Sequence, residues 1–179
     1  MEIKVPFYNI VNIFLPGLVL IGSAALLFLD NVKELVIKIT DIGSAGLEVL
    51  VTVSLFAIAY EVGYIVFRLG SVAVEPILKK MFGWVDYNDF IKAGKTSEKA
   101  HEKLEMLSRE YGFAVTQIML FIALAVLTGV QTQWWFMGIS IAVVVLFGAT
   151  ARGHMNRTKK AVAQYLAPST SESEGGANA

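Results

Sequence analysis

Four long apolar stretches constrain the fold of this chain more than any other feature of its sequence. A helix that crosses a membrane needs about 17–25 mostly apolar residues, because it rises about 1.5 Å per residue through a hydrocarbon core about 30 Å thick. The stretches therefore predict an all-α integral membrane four-helix bundle, in a single transmembrane domain of residues 1–165. Its spans lie near residues 10–29, 47–67, 113–130 and 134–151.

The composition supports this prediction. Hydrophobic residues make up 55% of the 179-residue chain and charged residues only 17%, whereas a soluble domain has about 45–50% and about 25%. The first apolar stretch continues to Leu29, past the small residues at 22–25 that a signal peptidase would recognise, so we expect it to be retained as a span. Only residues 131–133 separate the last two spans, which predicts a tight antiparallel hairpin.

Basic residues predict the orientation. Among the 15 Lys and Arg residues, all except Lys33 and Lys38 lie in the N-terminal flank, in the 68–112 loop or after residue 151. Positive residues are retained in the cytoplasm, so both termini and the 68–112 loop are expected there. A compact chain without targeting segments fits a prokaryotic inner membrane, so we expect a multi-pass protein of the cell inner membrane. Trp134 and Trp135 then lie at the outer interface, where indole rings are enriched.

Segments outside the bilayer have weaker patterns. We expect the second span to continue as helix to about Glu75, where Pro76 bends or ends it. Residues 83–96 have the composition of a compact loop, and one helix is expected from about Ser97 to Val130, with Thr96 or Ser97 as its N-cap. Residues 30–46 predict a short helix on the outer surface, and residues 166–179 a disordered tail.

A polar stripe in the second span is the strongest candidate for function. Ser54, Glu61 and Arg68 recur every seven residues, and Tyr64 falls on the same face. An ionisable residue inside a span is costly unless it is paired, hydrated or protonated. We therefore expect the stripe to face a bundle interior or a wet cavity. Structural pairing between helices, an ion path and snorkelling to the interface all remain open for Glu61.

Two clusters beside the spans are candidates for binding. Trp84, Tyr87 and Phe90 are aromatic residues of the 68–112 loop that would dock a partner, pack on the adjoining helix or enter the headgroups. The second cluster is basic and follows the fourth span; it is either the topology signal alone or a site for anionic lipid headgroups. Its members are Arg152, Arg157, Lys159 and Lys160.

Other polar and small residues give weaker signals. His101 and His154 belong to no motif, which indicates solvated surface residues. Gly138 and Ala142 form a small-xxx-small pair in the fourth span, a pattern that lets helices approach closely.

No sequence motif indicates catalysis. The chain has no cysteine, which excludes disulfides and thiolate chemistry, and it lacks zinc-protease, hydrolase and P-loop motifs. Asp86 and Asp89 alone are weak evidence for a cation site. We expect no enzyme, no cofactor and no direct nucleic-acid partner, and the expected partners are membrane lipids, further copies of the chain and a cytoplasmic protein.

Three segments carry a resemblance: NIFLPGLVL in the first span, AYEVGYIVFRLG at the end of the second and SREYGFAVTQIMLF at the start of the third. With them the layout resembles small tetraspan membrane proteins of prokaryotic anti-phage defence loci, such as the membrane subunit of the Kiwa system. The resemblance covers the arrangement of most of the chain and contains no diagnostic motif. It implies oligomerisation and a cytoplasmic partner that the membrane protein anchors or senses for.

Two functions follow as hypotheses. The first is an oligomeric inner-membrane scaffold or sensor subunit that docks a cytoplasmic partner through the 68–112 loop, in phage defence. The alternative is an oligomeric channel or membrane-permeabilising effector, lined by the stripe of Ser54, Glu61 and Arg68. An intramembrane enzyme or transporter ranks lowest, because neither a motif nor a repeated broken-helix pair is present.

Overall fold

The computed structural model describes residues 10–40 and 45–167, and within these ranges every regular element is a helix. The all-α prediction is thus confirmed. One π-helical turn, Ile10–Phe14, begins the first helix, and another, Gly70–Val74, joins the third helix to the fourth. The elements are α1 (Ile10–Leu27), α2 (Leu29–Thr40), α3 (Ala45–Leu69), α4 (Glu75–Phe82), α5 (Tyr87–Lys95), α6 (Glu98–Val130) and α7 (Trp134–Leu166).

Four helices are long and apolar enough to cross a membrane, as predicted. They are α1, the continuous α3–α4 helix, α6 and α7. Helices α6 and α7 have 33 residues each, which corresponds to about 50 Å. Each helix is therefore considerably longer than the hydrocarbon core is thick. We call the end at which residues 131–133 join α6 to α7 the hairpin end, and the opposite end, with α4 and α5, the polar end.

Two helix pairs form the spanning part. Helices α6 and α7 pack along their length, α1 packs on α3, and α6 joins the two pairs by contacting both α1 and α3. Val66, Leu120 and Leu124 form the buried cluster between α3 and α6. A cleft of about 410 Å³ lies between α1, α6 and α7 near the hairpin end.

The α1–α3 pair is held by a close backbone crossing that the sequence analysis missed. A Cβ atom built on Gly17 would lie 1.7 Å from the Ala59 carbonyl oxygen, and one built on Gly63 would lie 1.7 Å from the Ile13 carbonyl oxygen. Only glycine fits at these two positions. By contrast, the small-xxx-small pair of Gly138 and Ala142 lies on an exposed face of α7, and a Cβ atom built on Gly138 would meet nothing within 4 Å.

The second spanning helix continues past Pro76, so of the two predicted outcomes, a bend or an end, the end of the helix does not occur here. Proline has no N–H to donate to the preceding turn. The π-helical turn immediately before it absorbs the mismatch, and there Glu75 N–H donates to the Gly70 carbonyl. The helix then runs to Phe82 and ends at Gly83, whose positive φ of 71° suits glycine.

Residues 83–96 do not form the predicted compact loop, because they contain α5. Asp86 begins this helix as its N-cap, and its Oδ1 accepts a hydrogen bond from Asn88 N–H at 2.8 Å. Ser97 caps α6 as predicted, with Oγ accepting from Ala100 N–H at 3.1 Å. The predicted surface helix in residues 30–46 corresponds to α2. Of the predicted tail, residues 168–179 lie outside the described residues.

Helix α7 continues about four turns beyond the predicted end of the fourth span, and this extension completes a packed polar end. One apolar cluster joins the α3–α4 helix to α6 and α7 and includes Leu78, Tyr111 and Met155. A second joins α5 to α6 and α7 through Ala93, Leu104 and Val162. The polar end is therefore a small folded unit continuous with the spans.

Candidate functional site

Glu61 lies on an exposed face of α3. The opposite face carries the small or buried residues Ala59, Gly63 and Val66, which contact α1 and α6. Their spacing of three to four residues places them on one side of the helix. Because that side is taken by the close crossing, Glu61 and Ser54 project away from the chain. The expected orientation of the stripe towards an interior is therefore not found among residues 10–40 and 45–167 of one chain.

Tyr64 and Arg68 interact with each other, one turn closer to the polar end. Arg68 Nε donates a hydrogen bond to the Tyr64 hydroxyl at 2.8 Å, and its guanidinium carbon lies 5.0 Å from the tyrosine ring centroid. Glu61 takes no part in this contact. Within residues 10–40 and 45–167, its carboxylate has no hydrogen-bond or ion-pair partner.

An outward carboxylate in a spanning helix has an energetic consequence. On insertion scales, an acidic residue at the centre of a span costs about 2.5–3.5 kcal/mol, and less near the interface. The neighbours of Glu61 on the same outward side are apolar, with Ile58 51% and Ile65 55% exposed. Around Glu61 the surface therefore has the apolar character that lipid favours, and the Glu61 carboxylate there is a group that lipid disfavours. A second protein surface that hydrates or pairs Glu61 would remove the cost.

The three aromatic candidates of the polar end have different environments. Trp84 packs on Tyr111 with ring centroids 4.9 Å apart, and the Lys79 ammonium lies 5.0 Å from its ring centroid. Phe90 packs on the cluster between α5, α6 and α7. Only Tyr87 is prominently exposed, at 74%. Two of the three therefore stabilise the fold, and Tyr87 remains the aromatic residue available to a partner.

The basic cluster is divided in the same way. Lys159 Nζ donates a hydrogen bond to the Phe82 carbonyl oxygen at 2.7 Å, and the Arg152 guanidinium lies 5.5 Å from the Phe82 ring centroid. Both residues thus hold the end of α4 against α7. Arg157 and Lys160 are exposed and remain accessible to lipid headgroups.

We expect Lys159→Met to destabilise the polar end by about 1–2 kcal/mol, because it leaves the carbonyl at the end of α4 without its charged donor. Lys160→Met is the matched control, since the neighbouring lysine is exposed, and it should change stability by less than about 0.5 kcal/mol. Thermal unfolding in detergent measures both variants. Equal melting temperatures for the two variants would show that the contact of Lys159 with Phe82 does not contribute to stability.

Of the two histidines, only His101 is on the surface. The His154 side chain is 15% exposed, and its Nδ1 lies 3.1 Å from Glu110 Oε2 without the alignment of a hydrogen bond. The interpretation of His154 as solvated was therefore wrong. This contact joins α6 to α7 where both helices change from apolar to polar sequence.

No group of three or more metal-ligating side chains occurs in the part of the chain that the structure describes. The Asp86 carboxylate instead caps α5. No family model, curated protein or solved structure matches the chain.

Proposed function

We propose that this chain is a subunit of an oligomeric inner-membrane scaffold or sensor. It self-associates through the outward face of α3 and presents its polar end to a cytoplasmic protein. The observation that carries the proposal is the exposure of Glu61 on a spanning helix, without a partner in the described chain. Contact with a second copy covers this carboxylate together with the apolar residues beside it. In lipid alone, the carboxylate would be left unpaired inside the span, at a cost in free energy.

The side of the membrane follows from the distribution of charge. Apart from Lys4, Lys33 and Lys38, all Lys and Arg residues lie from Arg68 to Arg109 or after residue 151. In the structure these two regions form the polar end. The positive-inside rule assigns the polar end and both termini to the cytoplasm.

The partner surface on the polar end is centred on α5. Tyr87 is exposed there beside exposed Asn88 and Lys92, while Phe90 and Ala93 anchor the helix to the chain. An exposed tyrosine on a well-packed helix is a typical interface anchor. The resemblance to membrane proteins of anti-phage defence loci supports such a partner, and with it a role in phage defence.

A channel is the second candidate, because one specific observation favours it. Ser54, Glu61 and Arg68 are all exposed on α3. A ring of copies that turned this face towards a common axis would line a passage with hydroxyl, carboxylate and guanidinium groups. The same contact between copies therefore serves either function, and conductance distinguishes them.

Reconstituted bilayers provide the test. For a scaffold or sensor we expect the wild-type protein and Glu61→Gln to leave conductance at background, because the stripe is covered rather than hydrated. Glu48→Gln removes the same charge from the first turn of α3, so it is the matched control. If the wild-type protein conducts, and its ion selectivity changes in Glu61→Gln but not in Glu48→Gln, the result would contradict the scaffold proposal and support the channel.

A further inference from the structure

The contact between α6 and α7 has one buried side and one open side. On the buried side, Tyr111 and Met155 pack against the α3–α4 helix. On the open side lies a groove of about 520 Å³. Its lining includes Arg109, Glu110, Phe113, Phe147, Thr150 and His154.

The half of the groove nearer the hairpin end is apolar. The Phe113 and Phe147 rings meet edge to face with centroids 6.2 Å apart, above the buried Ala114. These phenylalanines belong to the apolar stretches 113–130 and 134–151. This half therefore lies at the depth of acyl chains in a membrane in which α6 and α7 are inserted.

The other half is charged with both signs. Arg109 and Glu110 are adjacent, and their side chains are 50% and 43% exposed. Arg109 also pairs with Glu105, while Glu110 Oε2 faces His154 Nδ1. A positive and a negative group thus stand side by side at the level where both helices leave the apolar layer.

We propose that this groove binds a single aminophospholipid, a glycerophospholipid whose headgroup carries a phosphate and a primary ammonium. One acyl chain lies on Phe113 and Phe147, the phosphate faces Arg109, and the ammonium donates to the Glu110 carboxylate. A primary ammonium has three N–H donors for such a contact, as in lysine. The inference depends on the insertion of the helices, and neither on their orientation nor on the scaffold role.

Complementarity of charge and hydrogen bonding favours an aminophospholipid over other phospholipids. The phosphatidylglycerol headgroup has no cation to compensate the charge of Glu110. The phosphatidylcholine headgroup has a cation but no N–H group that could donate to the Glu110 carboxylate. The basic cluster after the fourth span offers cations only, because residues 151–160 contain no carboxylate for the ammonium group. The groove instead offers an apolar floor and both charges of the headgroup together.

Native mass spectrometry tests the proposal on the purified full-length chain. The probe is an equimolar mixture of phosphatidylethanolamine, phosphatidylcholine and phosphatidylglycerol with identical acyl chains. We expect the ethanolamine lipid to be retained at least about five-fold more than either competitor, which corresponds to about 1 kcal/mol. Glu110→Gln should reduce this preference to less than about two-fold, equivalent to about 0.4 kcal/mol. Glu102→Gln, an exposed acidic residue of α6 outside the groove, should leave it unchanged.

Arg109→Gln keeps the contact between Glu110 and His154 and provides a second variant if Glu110→Gln does not fold. It should reduce the retention of the ethanolamine lipid by about five-fold, or about 1 kcal/mol. Equal retention of ethanolamine and choline lipids by the wild type would overturn the proposal. So would stronger retention of phosphatidylglycerol, or a preference that survives both substitutions in the groove.

Discussion

Replacement of Gly63 by alanine is expected to destabilise the protein by about 3 kcal/mol, which is the upper end of the usual cost of overpacking. The added Cβ would lie 1.7 Å from the Ile13 carbonyl oxygen and 3.1 Å from the Gly17 nitrogen. Both atoms belong to the backbone of α1, so no side-chain rotation relieves the clash. The helices must separate, and the stacked contact of Phe14 with Phe56 beside the crossing is then weakened.

Gly22→Ala in α1 is the matched control for this prediction. A Cβ at Gly22 meets no atom within 4 Å, and alanine is favoured over glycine in a helix by about 0.5–1 kcal/mol. Thermal unfolding in detergent should therefore show a large loss of stability for Gly63→Ala and none for Gly22→Ala. Similar melting temperatures for both variants would show that α1 and α3 do not cross at this point.

Glu61→Leu is expected to weaken self-association about ten-fold, which corresponds to about 1.4 kcal/mol. The carboxylate favours the assembled state, because only there is it covered by another copy. A leucine side chain is about as stable in contact with lipid as in contact with another copy, so this contribution to association disappears. The value is below the full cost at the centre of a span, because Glu61 lies nearer the polar end.

Energy transfer between labelled copies, measured as the protein is diluted into increasing amounts of lipid, gives the association constant. Ile65→Leu is the control on the same outward side, since it exchanges one exposed apolar residue for another. It should leave the constant within about two-fold, a difference of about 0.4 kcal/mol. An unchanged constant for Glu61→Leu would mean that this carboxylate does not contribute to the contact.

The spans were predictable because length and apolar content alone define a helix that can cross a membrane. The crossing of α1 and α3 was not. Small residues occur in every span, and the sequence does not show which of them meet. Gly138 and Ala142 had the expected spacing but face outward, whereas Gly17 and Gly63 come together only because α1 lies against α3.

The candidate site was partly predictable for a similar reason. A seven-residue spacing places Ser54, Glu61 and Arg68 along one side of a helix, but it does not reveal what that side contacts. In the polar end, Asp86 before an apolar pair at Phe90 and Ala93 was an N-cap signal for α5. The contact of Lys159 with Phe82 joins residues 77 positions apart, and no local pattern predicts it.

The mass of the wild-type protein in nanodiscs tests the central claim most directly. One chain has a mass of 19.6 kDa. If the outward face of α3 is covered by further copies, then the protein component of each disc will have a defined multiple of this mass. A single copy per disc, at protein concentrations that allow two or more, would leave Glu61 exposed to lipid and would contradict the account.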